Sequence, residues 1–221
     1  MKLLIPMITA LMILSSCGKD NDDSSTQDVT MFEEQEKPME EGEYVAFLRT
    51  VNSSVNGYIP FGRAELSLKE DELKIVTYLD DDQRVMHMQR IHTGTRCPTL
   101  ADDINNDGYI DIIEAGKALG EVILPLDNDL SSREAGEGKY PIGSSFTYTR
   151  SAKWSSIIED LQKPYKEGHL VLDRDYINLE NRVILIHGTS YSSLVPDTLA
   201  THDGVEPHLS VPIACGIIKP I

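Results

Sequence analysis

Short strand-forming runs separated by turn residues predict an all-β domain, an antiparallel sandwich or barrel, over residues 43–221. Apolar residues alternate with polar ones over runs of strand length, and turn residues recur between the runs at fairly regular spacing. Only two segments carry helical signals.

In chain order, Glu43 to Val51 is the first strand, with Tyr44, Val45, Phe47 and Leu48 supplying its apolar character. Tyr58 to Leu68 is the second, where Phe61, Ala64, Leu66 and Leu68 approach period two. The charged turn Lys69-Glu70-Asp71-Glu72 leads into a third strand, Leu73 to Leu79, which the acidic turn Asp80-Asp81-Asp82 ends. Arg84 to His92 is the fourth; Glu121 to Leu126, Ser145 to Arg150, Arg182 to Gly188 and Ser210 to Ile218 follow. The first helix, Ile112 to Leu119, stops at Gly120, a natural C-terminal cap. The second, Ala152 to Lys163, follows Ser151 as N-cap, sets Trp154, Ile157, Ile158 and Leu161 on one face, and ends before Pro164.

Ahead of the domain, Lys2 gives a positive start, and Leu3 to Leu14 is an apolar stretch of signal-peptide length. It is too short to span a bilayer, which needs about 20 apolar residues. Leu14-Ser15-Ser16-Cys17 resembles the lipobox of bacterial lipoproteins, which implies a signal peptide over residues 1–16 and lipid on Cys17. Residues 17–42 then form a tether, since Gly18 to Lys37 is rich in Asp, Glu, Ser and Gln and nearly free of large apolar side chains. Gly18-Lys19-Asp20-Asn21-Asp22-Asp23 resembles the acidic export signals of surface lipoproteins in Bacteroidetes-type bacteria. The resemblances imply an outer-membrane lipoprotein of the cell envelope, with the second pointing to its outer surface.

The formal net charge is -16, and loss of residues 1–16 removes only Lys2, leaving -17. Such a balance excludes nucleic acid and electrostatic docking on anionic lipid, and favours cations. Membrane attachment therefore rests on the lipid. With Cys17 lipidated, Cys97 and Cys215 remain, either as a pair or as two thiols.

The strongest chemical motif is Asp103-Ile104-Asn105-Asn106-Asp107-Gly108-Tyr109-Ile110-Asp111-Ile112-Ile113-Glu114, which fits the EF-hand calcium pattern at every specified position. Calcium takes six to eight oxygens at about 2.3–2.6 Å. Asp103, Asn105 and Asp107 supply side-chain oxygens, Tyr109 its carbonyl, and Asp111 an oxygen directly or through water. Glu114 closes the set from the first turn of a helix, and Gly108 permits the sharp reversal. No amphipathic helix enters the loop from Cys97 to Asp102, and no second loop exists to pair with it. The loop thus resembles the lone loops of dockerin-type modules, which implies structural calcium rather than a sensor.

A wider resemblance frames the chain. Asn56-Gly57-Tyr58-Ile59-Pro60-Phe61 resembles the second strand of copper/zinc superoxide dismutases, and His87-Met88-Gln89-Arg90-Ile91-His92 resembles that family's H-G-F-H-V-H copper strand. Gly120-Glu121-Val122 resembles the G-D-L that ends its metal loop, Arg182 to His187 its R-x-L-V-V-H strand, and Ala214-Cys215-Gly216-Ile217-Ile218 its A-C-G-V-I ending. The match is collinear and implies an eight-stranded Greek-key barrel with Cys97 disulfide-bonded to Cys215. The chordin-type domain of bacteria, also with an H-x-H strand, resembles the same segments.

The departures bear on function. Arg90, a cation, stands where the family has a copper histidine, and Thr93 to Gly120 contains no histidine for zinc or for the metal bridge. Pro212 stands at the family's guiding arginine, and only His92 and His187 occupy copper positions. Neither copper nor zinc is expected. The calcium loop falls where the family keeps its zinc loop. The sequence therefore reads as a calcium-binding, noncatalytic superoxide-dismutase-like lipoprotein domain, a surface binding or structural module. The alternative is a divergent copper-dependent dismutase or other copper protein using His92 and His187.

Overall fold

Burial alternates residue by residue along the first strands, and that alternation builds the main core. In the computed structural model, which describes residues 39–53, 59–134, 139–164, 178–190, 195–202 and 204–221, β1 (Gly42–Thr50), β2 (Phe61–Lys69) and β3 (Glu72–Met86) form an antiparallel meander. Ala46, Leu48, Ala64, Leu66, Leu73 and Ile75 point inward, while Phe47, Arg63 and Tyr78 share one outward row. The remaining strands are β4 (Gln89–His92), β5 (Val122–Pro125), β6 (Ile142–Lys153), β7 (Val183–His187), β8 (Pro212–Ile217) and the short β9 (Lys219–Pro220). All pairings are antiparallel, in the order β5-β4-β7-β8-β1-β2-β3-β6, with β9 against β1. The sheet curls into a half-barrel, so that Ile91, Ile184 and Ile213 meet the meander's apolar face in one core.

The chain divides into two compact units, Met1–Glu34 and Gln35–Ile221. The first lies outside the described residues, and with it the signal peptide, Cys17 and most of the tether. Asn56, Gly57 and Tyr58, which open the expected second strand and its family resemblance, lie outside them as well.

The predicted turn between β2 and β3 is present and tight. Glu70 and Asp71 both have positive φ, 48° and 65°, as a two-residue type I′ hairpin turn requires. The acidic triplet differs from expectation. Asp80-Asp81-Asp82 does not end a strand but lies inside β3, which pairs with β6 on both sides of an irregularity between Asp80 and Val85. An extra stretch in one strand is accommodated as a bulge. Asp81 turns inward there, 3% exposed, and accepts the Asp82 N–H. Arg84 to Met86 consequently belongs to β3, and the strand before the loop starts only at Gln89.

Three α-helices have both ends among the described residues: α1 (Ile112–Leu119), α2 (Trp154–Leu161) and the four-residue α3 (Pro207–Ser210). α1 has its expected limits and ends at Gly120, φ 63°. α2 is shorter than expected, because β6 continues to Lys153 and keeps Ser151 paired with Lys74. Its N-terminus is capped from the hairpin turn instead. The Asp71 carboxylate accepts the Ser155 N–H and Oγ–H at 2.8 and 2.7 Å, and the Asp71 carbonyl accepts the Trp154 N–H at 2.8 Å. α3 was not signalled by the sequence pattern.

Candidate functional site

Thr93 to Glu121 leaves β4, crosses the outer face of β7 and β8, and returns as β5. Its neck is closed by Thr93 N–H to Glu121 O at 2.8 Å and Gly94 N–H to Leu119 O at 2.6 Å. Gly94 is required for this approach, since a Cβ there would stand 2.1 Å from the Ala118 carbonyl oxygen. Arg182 fixes the neck to β7 by donating to the Thr93 carbonyl at 2.9 Å. Beyond the neck, a disulfide joins Cys97 to Cys215 on β8, with Cα atoms 5.8 Å apart. A 3-10 turn at Leu100–Asp102 follows, closed by a Thr99/Asp102 capping box. The Arg96 guanidinium grips Asp102 at 2.8 and 2.6 Å and brings its carboxyl down to about 2.

The loop over 103–114 gathers its oxygen-bearing side chains onto its own backbone. Asp103 accepts from the Asp107 and Gly108 N–H groups, Asn105 from Asp107, and Asp107 from Tyr109. Gly108 makes the reversal with φ 86°. Glu114 reaches back from the first turn of α1 and accepts from Ile104 at 2.9 Å, Asn105 at 3.2 Å and Asp111 at 3.1 Å. Asp111 is the N-cap of α1 and accepts from Ile113 and Glu114, both at 2.8 Å. Its other oxygen accepts the Ala200 N–H at 2.9 Å, tying the segment 195–202 to the loop. Burial raises the Asp107 carboxyl, but hydrogen bonds from Thr198, Tyr109 and Asn105 outweigh it and hold the group below its ordinary value. Tyr109 is half-buried against the main core.

The donor set is made of hard oxygens, and Glu114 and Asp103 lie at the two ends of one closed loop, so these residues fit calcium better than any softer ion. Among the described residues no three His, Cys, Asp or Glu side chains converge on one point, and Asp103, Asp107, Asp111 and Glu114 each accept from backbone N–H groups.

Asn52 has no counterpart in the sequence reading. Buried at the end of β1, it pairs both backbone groups of Ile110: Nδ2 donates to the Ile110 carbonyl at 2.8 Å and Oδ1 accepts the Ile110 N–H at 2.9 Å. Nδ2 also donates to the Pro212 carbonyl at 2.9 Å. The side-chain amide thus satisfies both backbone groups of one residue, as a neighbouring strand would otherwise do. Ile110, Ile112, Ala115 and Leu119 then pack on Val183, Leu185 and Cys215, a second small core between loop and sheet.

His92 and His187 share one face of the β4–β7 ladder, where Arg90 pairs with Leu185 and His92 with Val183. Both imidazoles are buried, at 3% and 1% exposure. Burial, helped by the Arg90 charge, lowers His92 to about 4 and His187 to about 3; the Gly120 backbone partly opposes the first shift and Ser210 the second. His187 Nδ1 faces the Ser210 carbonyl at 2.7 Å and donates to it when neutral, which leaves Nε2 as a bare acceptor. That Nε2 and both His92 ring nitrogens have no partner of hydrogen-bond geometry. A cleft of about 510 Å³ opens at this point, lined by Arg90, His92, Gly116, Glu121 and the exposed His202.

No protein-family model matches the chain, and no curated protein is significantly similar to it. No helix among the described residues is long and apolar enough to cross a membrane.

Proposed function

We propose that the protein is a calcium-binding lipoprotein, held on a membrane surface by lipid on Cys17, whose superoxide-dismutase-like domain is noncatalytic and serves as a surface binding or structural module. The observation that carries this is the position of the loop over 103–114. Through Asp111 and Thr198 it ties together two long connections, and through α1 it seats a second core on the outer sheet face. Calcium there would bring positive charge to Asp103, Asp107, Asp111 and Glu114 in a chain of net charge -16. The Greek-key reading is supported by β6, which crosses back to lie beside β3 rather than β5, and the superoxide-dismutase-like one by the Cys97–Cys215 bond. Copper has no part in the proposal. Arg90 shares the face with His92 and His187, and a fixed cation beside two imidazoles opposes a second cation.

Thermal unfolding of the chain with chelator, calcium, magnesium or sodium chloride tests the calcium reading. A ligand that binds only the folded state adds about 2.7 kcal/mol at a hundredfold excess over Kd. Calcium should raise the melting temperature by several degrees over the chelated protein, and magnesium by less, because it sheds water reluctantly. A shift reproduced by sodium chloride alone would reduce the loop to a solvated acidic turn.

A further inference from the structure

The outer face of the β4–β7 ladder holds a charge and a set of polar atoms that nothing yet described uses. Arg90 Nε, His187 Nε2 and Thr201 Oγ1 are buried without hydrogen-bond partners, and the His92 ring nitrogens and Tyr140 Oη have none of good geometry, with only the Gly120 backbone near His92 and the Arg90 guanidinium near Tyr140. Arg90 acts electrostatically on His92, His187 and Tyr140, which places these groups around one guanidinium. Among the described residues no carboxylate forms an ion pair with Arg90, whose guanidinium reaches Met88 Sδ at 3.8 Å and lies beside the Tyr140 hydroxyl. The acids in the neighbourhood are Asp127, buried near Tyr140, and Glu121 on the rim of the cleft. A half-buried cation without an ion-pair partner among the described residues is unexpected in a chain of net charge -16.

We propose that this face binds a small oxyanion that keeps a hydroxyl group, its charged oxygens taken by Arg90 and its hydroxyl donated to His187 Nε2. The donors and the acceptor match that ligand class. Arg90 and the Tyr140 hydroxyl donate, and His92 offers one donor and one acceptor when neutral. His187 can only accept at Nε2, because its Nδ1 proton is held by the Ser210 carbonyl. Water would satisfy the imidazoles but would leave the guanidinium charge uncompensated. A wholly deprotonated anion would satisfy Arg90 but set its lone pairs against that of His187 Nε2. The cleft beside Ile112, Gly116 and Leu119 of α1 opens onto Arg90 and His92, which share a face with His187. This inference does not depend on calcium in the neighbouring loop.

Hydrogencarbonate and nitrate separate the terms, being planar monoanions of similar size of which only the first has a hydroxyl. Long-range histidine nitrogen NMR of the full chain, titrated with each at constant ionic strength, reads the site directly. Hydrogencarbonate should shift the His92 and His187 ring nitrogens saturably while leaving His208 unmoved, and nitrate should bind at least about tenfold more weakly. Arg90→Gln should abolish saturation and Arg90→Lys should weaken it, since an ammonium lacks the guanidinium fork. His92 and His187 signals that stay still, or that respond equally to nitrate, would overturn the proposal. So would hydrogencarbonate binding to a folded Arg90→Gln variant with wild-type affinity. If that variant does not fold, the comparison of the two anions on the wild-type chain decides the matter.

Discussion

A buried imidazole with no carboxylate to pair its charge is held neutral, and His92 and His187 are both in that position. The unfolded chain takes up protons on these groups near pH 6.5, whereas the folded chain refuses them until about 4 and about 3. Between pH 6.5 and 4 the unfolded state therefore binds more protons, and stability is lost as pH falls. Each histidine contributes on the order of 3 kcal/mol across that window. Asp81 runs the other way. Burial raises it from 3.8 to about 6, so the folded state holds its proton first and gains stability on acidification through the same range. His87, 3.8 Å from the Asp81 carboxylate, is also lowered by burial, so three histidines against one carboxyl leave a net loss and the melting temperature should fall steadily between pH 7 and pH 4. His92→Gln, nearly isosteric and uncharged, should flatten the profile, whereas Asp81→Asn should steepen it. Melting curves in matched ionic strength measure both, and a profile unchanged by His92→Gln would mean that another group controls acid unfolding.

At the scale of elements, what was legible in the sequence was what is encoded locally. α1 carries its N-cap, its closing Glu114 and its Gly120 stop within a few residues, and it has the expected limits. The β2–β3 turn was equally plain, and its positive-φ residues confirm a two-residue hairpin. Features decided by distant partners were hidden. Three consecutive aspartates look like a turn, but pairing of Val85 with Gly143 carries β3 through them. Ser151 looks like a cap, but its place in β6 passes that task to Asp71, which lies 84 residues from Ser155 in the chain. Nothing around Asn52 announces that its amide will hold Ile110, 58 residues away. The capping arrangement can be checked by substitution. Asp71→Ala should lower stability, as the loss of a helix cap does. Part of that loss should reappear in Ser155→Ala, which removes only the hydroxyl partner of the Asp71 carboxylate. Urea denaturation of the two variants reads the difference, and Asp71→Ala with wild-type stability would show that α2 needs no cap from the turn.

Across the whole molecule, β7 is buried on both faces although it belongs to a curled sheet with one main core. Its second covering is the connection from Thr93 to Glu121, held at three places: the neck at Thr93 and Gly94, the disulfide to β8, and the loop that Glu114 closes. A disulfide spanning 118 residues constrains the unfolded chain by about 4–5 kcal/mol in the chain-entropy account. Here it also carries part of the second core, since Cys215 packs with Ile112 and Leu119. Replacing Cys97 and Cys215 by Ser should therefore lower stability by several kcal/mol and loosen α1. Glu114→Gln keeps the size of the side chain but weakens its acceptance of the Ile104, Asn105 and Asp111 N–H groups, and in the proposed calcium site it removes a charged ligand. Both changes release the same connection, so their effects should not add. Independent sites add within about 0.5 kcal/mol, and residues in one network depart from additivity by roughly 0.5–3 kcal/mol. In a double-mutant cycle measured by chemical denaturation in calcium, the combined variant should be less destabilised than the sum of the two losses, because a connection already freed by one change has less to lose from the other. Strict additivity would mean that the disulfide and the loop stabilise separate parts of the domain. Greater destabilisation than the sum would mean that either tether alone suffices to keep α1 seated on β7, and that the second core fails only when both are gone.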